Sequence, residues 1–114
     1  MDQPVPRVSP SDLDRVIRRD YPVEVHADVA ALPDTYGDSE AVRVKLAILK
    51  LAAGDVGKVR DYVAAASRDY RDVVAWAEYP KFMDVGWSDD LPAQKRDAII
   101  ASDWEQYDVW LKKL

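Results

Sequence analysis

"SEAVRVKLAILKLAAGD", residues 39 to 55, decides how the rest of the chain is read. Ser39 is a residue type that opens helices, Gly54 is one that ends them, and the residues between have high helix propensity. Stepped at about 100° per residue, Val42, Val44, Leu46, Ile48, Leu49 and Leu51 cover most of the circumference. Arg43 and Lys50 are left on a narrow outward strip. A helix that is apolar nearly all round belongs at the centre of a bundle. Asp55 supplies the cap for a second helix, with Val56, Val59, Tyr62, Val63 and Ala66 on one side and Lys58, Asp61 and Ala65 opposite. Two helices joined at Gly54 and Asp55 make an αα-hairpin.

Downstream, "DYRDVVAWAEYPKF" (69 to 82) reads as a further helix, capped by Asp69, running to Tyr79 and stopped by Pro80. Tyr70, Val73, Val74 and Ala77 form its core stripe. Residues 81 to 91, "KFMDVGWSDDL", are rich in turn formers and predict a loop whose Phe82, Met83, Val85 and Trp87 pack down as a lid. Pro92 opens the last helical region. Ser102 followed by Glu105 has the spacing of a capping box, so the region is either two helices meeting at Ala101 and Ser102 or one bent helix. Ile100, Trp104, Tyr107, Leu111 and Leu114 share a face with Trp110 at its edge, and Lys112 and Lys113 suit the negative end of the dipole.

Upstream, residues 1 to 8 hold two prolines and little periodicity, and they predict a flexible arm. Ser9, Pro10 and Asp12 open a helix with Leu13, Val16 and Ile17 as its apolar stripe and Arg15, Arg18 and Arg19 facing out. Pro22 ends it at Tyr21. A helix from about Val23 to Leu32, a turn at Pro33 and Asp34, and a break at Gly37 complete the pattern. No segment alternates as a strand would, and no fixed-period repeat recurs. The expectation is an all-α, compact single-domain bundle of five to seven short helices around the central αα-hairpin, occupying residues 9 to 114.

At 114 residues with 48% hydrophobic content, one modest core is expected. The chain has no cysteine, which excludes disulfides, thiolate nucleophiles and Cys-ligated metals. Neither a secretory leader nor a membrane span is visible, so a cytoplasmic location is expected. Sixteen basic against twenty-one acidic residues give a net charge of -5, which opposes a phosphate backbone, and no nucleic acid is expected as a partner.

Chemistry-bearing motifs are sparse. His26 is the only histidine. No glycine-flanked nucleophile elbow, EF-hand spacing or phosphate-cradling glycine loop is present. No catalytic residue, cofactor or metal site is assigned. The acidic groups at Asp34, Asp38 and Glu40, at Asp69 and Asp72, and at Asp84, Asp89 and Asp90 read as caps and turns. The segments "RVKLAILKLAAGD", "DYRDVVAWAEYP" and "DWEQYDVWL" resemble those of small uncharacterised bacterial proteins over most of residues 39 to 111. The resemblance implies a bacterial cytosolic helical domain and carries over no activity, cofactor or site residue.

The aromatics give the strongest functional hint. Trp76 lies at the edge of the core stripe of its helix, with Asp72 and Tyr79 continuing on the same side. Such a strip, with Trp87 beside it, presents large contact area at low entropy cost and points to a protein-interaction or regulatory module. The alternatives are an enzyme pairing Asp or Glu with Tyr as acid and base, and a weak nucleic-acid binder using the helix-one arginines Arg15, Arg18 and Arg19, with Arg7 grouped beside them.

Overall fold

The computed structural model describes residues 7–22, 41–85 and 91–113. The fold is all-α, with five helices among the described residues: α1 (Pro10–Asp20), α2 (Ala41–Ala52), α3 (Val56–Glu78), α4 (Pro80–Val85) and α5 (Ala93–Lys112). The expected helix over 23 to 32, Ser39 and His26 lie outside the described residues, as does Trp87.

The α2–α3 hairpin is the heart of the molecule, as its apolar pattern demands. Val44, Leu46, Ala47, Ile48 and Leu49 are fully buried, and they meet Val59, Ala66, Val73, Val74 and Ala77 of α3. Burial of a side chain of this size contributes about 2 kcal/mol. The connecting turn places Ala53 and Gly54 at positive φ (51° and 88°). A Cβ at Gly54 would stand 3.0 Å from the backbone oxygen of Asp20, so the end of α1 packs directly against this turn. Asp55 caps α3 by accepting from the Lys58 N–H.

Within α3, Asp69 leaves helical geometry (φ −157°, ψ 102°) and restarts the helix. Its carboxylate accepts from the backbone N–H of Arg71 and from the Arg71 guanidinium, as expected of a capping residue. These hydrogen bonds and the adjacent positive charge hold the Asp69 carboxyl below its ordinary value. Because the phase resets there, Val73, Val74 and Ala77 turn inward from the second segment as the local pattern predicts.

One expected element is corrected, and of the two readings of the last helical region the single helix holds. Residues 80–85 form the short helix α4 where a loop was expected, because a distant carboxylate supplies its cap. Helix α5 runs unbroken through Ala101 and Ser102. The Ser102 hydroxyl accepts from Lys81 Nζ, and Asp103 turns into the interior. Ser102 is therefore a mid-helix residue with a tertiary partner.

Helix α1 closes the bundle. The Asp12 carboxylate accepts from the Ser9 N–H at its start, and Leu13, Val16 and Ile17 enter the core. Arg15 and Arg19 do not face out as the periodicity suggests. Arg15 donates to the carbonyl of Leu111, and Arg19 donates to those of Trp110, in the last turn of α5, and of Lys113, its C-cap. The Arg19 guanidinium also lies 5.3 Å from the centre of the Trp110 ring. The unsatisfied carbonyls and negative dipole of a helix C-terminus favour such cations.

Candidate functional site

The strip expected on α3 divides in the structure. Trp76 is 41% exposed and Asp72 is exposed, one turn apart on the outer side of the helix. Val73, Val74 and Ala77 fix that segment to the core, so the indole projects from a rigid support. Tyr79 does not join them: it is 5% exposed and belongs to the interior. The reason is local. The helix ends at Glu78, and Tyr79 is the cap residue with φ −132° and ψ 57°, so projecting it round the helical wheel assigns the wrong side. Burial pushes its phenol up to about 12.

At the C-terminal end of α3 lies a polar junction that sequence reading missed. Glu78, 2% exposed, accepts two hydrogen bonds of 2.8 Å from the Arg43 guanidinium. The pair ties the first turn of α2 to the last residue of α3, and Arg43 is thus not on an outward strip. Asp103 of α5, 0% exposed, accepts from the backbone N–H groups of Lys81 and Phe82 at 3.2 and 2.9 Å. Those are the second and third residues of α4, so Asp103 caps that helix from another element. One turn further along α5, the Gln106 amide donates to the carbonyls of Ala77 and Glu78 and of Asp103 itself. Two side chains from "DWEQ" therefore satisfy both the end of α3 and the beginning of α4. The only local signal was that acid and amide sit at i and i+3 on one face.

Among the described residues, two shallow hollows flank Trp110. One, of about 440 Å³, is lined by Asp20, Lys50, Ala53, Gln106 and Trp110. The other, of about 480 Å³, runs along α5 past Ser102, Glu105, Val109 and Lys113. Val109 is 62% exposed, and with Trp76 it makes up the exposed large apolar residues among those described.

The carboxylates and arginines at these positions are largely engaged within the fold. Glu78 acts on the buried phenols of Tyr79 and Tyr107, and Asp103 on that of Tyr79, but each carboxylate is engaged by structural donors. Asp20, which does line one, is held by both Arg19 nitrogens at 2.9 Å. Of the arginines in and before helix one, Arg15 and Arg19 are spent on α5, which leaves Arg18 of α1 and Arg7, ahead of it, exposed. Among the described residues no group of three or more acidic or histidine side chains is arranged to hold a metal. No described helix is long and apolar enough to cross a membrane. No protein-family model matches the chain, and neither a curated protein nor a solved structure matches it.

Proposed function

We propose that the protein is a small interaction or regulatory module of the bacterial cytosol, docking a partner protein on the α3 surface around Trp76 and Asp72. The observation that carries this reading is the exposure of Trp76 on a segment whose other face is locked in the core. An indole on a rigid helix gives a partner a large apolar contact without an ordering cost, which is how interface anchors act. Asp72, one turn away, adds a carboxylate at the rim that favours a basic residue on the partner and contributes mainly to orientation and on-rate.

The test is affinity capture from lysate of the source organism with wild type, Trp76→Ala, Asp72→Ala and Val109→Ala as baits. A specific co-purifying protein retained by Val109→Ala, lost with Trp76→Ala and weakened with Asp72→Ala supports the docking surface. Equal capture by all four baits, or a partner displaced by Val109→Ala alone, removes it.

A further inference from the structure

Lys50 stands apart from the other described lysines. It sits in the last turn of α2, half-buried, on the wall of the 440 Å³ hollow. Lys81 donates to Ser102, Lys112 pairs with Asp108, and Lys58, Lys95 and Lys113 are exposed. Lys45 is buried and has its own interactions. Lys50 makes no hydrogen bond or ion pair among the described residues, and it lines this hollow.

The charged groups around it explain why. Asp20, from α1, is the acid on the cleft wall, but both its oxygens are taken by Arg19. Asp103, from α5, acts on Lys50 through space, yet its carboxylate is directed at the α4 backbone. The Gln106 amide, also on the wall, points its hydrogens at carbonyls. Among the described residues, the polar side chains that line the hollow with Lys50 are therefore committed elsewhere.

We propose that Lys50 is a reactive amine that condenses with small aldehydes entering this cleft. In the neutral amine, the Nζ lone pair adds to the carbonyl carbon and the carbonyl oxygen takes up the proton that nitrogen gives up, forming a carbinolamine. Loss of that hydroxyl together with the remaining N–H proton, as one water, leaves the C=N bond, with no oxidant or reductant required. Burial acts in the same direction, since it lowers the Lys50 ammonium below the ordinary lysine value, against the raising effect of Asp103. Trp110 gives the cleft an apolar wall on which the carbon frame of the aldehyde can rest.

The experiment is to treat the full chain with limiting pyridoxal at neutral pH, trap the imines with borohydride, and map the modified peptides. Lys50 is expected to carry several-fold more label than Lys58, Lys95 or Lys113, and this preference should vanish when the same reaction is run in denaturing urea. Lys50→Arg, which keeps the charge but not the nucleophile, should remove the excess and leave labelling of the other lysines unchanged. Label spread evenly over the exposed lysines of the native protein, or a Lys50 preference that persists in urea, overturns the proposal. The wild-type map decides the matter even where the variant is unstable.

Discussion

At the scale of single residues, the interior carries two polar groups with opposite expected responses. Glu78 and Arg43 form a bidentate pair whose acid is buried, so removing either partner strands a charge. Glu78→Ala should cost about 3 kcal/mol, as measured by urea unfolding. Replacing both partners, as Arg43→Met with Glu78→Leu, should recover most of that loss, because packed apolar side chains do not incur the desolvation of an ion pair. Tyr107 is the converse case. Its ring is fully buried and packs 5.5 Å from that of Trp110, but its hydroxyl has no hydrogen-bond partner among the described residues. Tyr107→Phe is therefore expected to change stability by less than about 1 kcal/mol or to raise it slightly. Tyr21→Phe, which removes a buried O–H donating to Leu49 at 3.1 Å, should lower stability by about 1 kcal/mol. Unfolding midpoints of the two variants measured side by side decide this, and a larger loss from Tyr107→Phe would show that its hydroxyl is bonded after all.

At the scale of elements, α4 exists through tertiary support. Six residues are too few to nucleate a helix in isolation, and no Ser, Thr, Asn or Asp stands where a local cap would. Asp103 provides the missing acceptor. Asp103→Ala should cost about 2 kcal/mol, the loss of a two-bond cap from a buried site. Amide exchange at Lys81 and Phe82 should accelerate more than at any residue of the α2–α3 hairpin. Uniform acceleration across the chain would instead place Asp103 in the global core. The same contrast explains what the sequence revealed. The hairpin was legible because its evidence is local: apolar periodicity, Gly54 at the turn, and Asp55 and Asp69 as caps. Helix α4 and the unbroken course of α5 were not, since Ser102, Asp103 and Gln106 act on elements some twenty to thirty residues away. Tyr79 was misassigned for a related reason, because wheel geometry holds only while the backbone is helical, and the last helical residue is Glu78. Trp76 and Asp72 fell inside that range, but the wheel put Trp76 only at the border of the core stripe, and its exposure depends on what packs beside it.

At the scale of the whole molecule, α1 and α5 are held together by arginines donating to a helix C-terminus, a relation that no local pattern encodes. Tyr21, at the end of α1, Tyr79, after α3, and Tyr107, in α5, are all buried, so three phenols report on the integrity of the bundle from different elements. Burial pushes Tyr21 and Tyr79 up to about 12 and raises Tyr107 as well. In the unfolded chain these groups ionise near the ordinary value of about 10. Between those limits the unfolded state holds fewer protons than the folded one, so the sign of the linkage is fixed: stability falls as pH rises. The contribution is fully present below about pH 10 and is lost as pH climbs through about 12. Alkaline titration should therefore show phenolate absorbance from these three tyrosines appearing in one cooperative step, together with the loss of helical circular dichroism. Tyr107→Phe removes one of the protons released and should make the fall of stability with pH less steep. Independent titration of all the tyrosines near pH 10 with the helical signal intact would mean that water reaches the bundle interior without unfolding it.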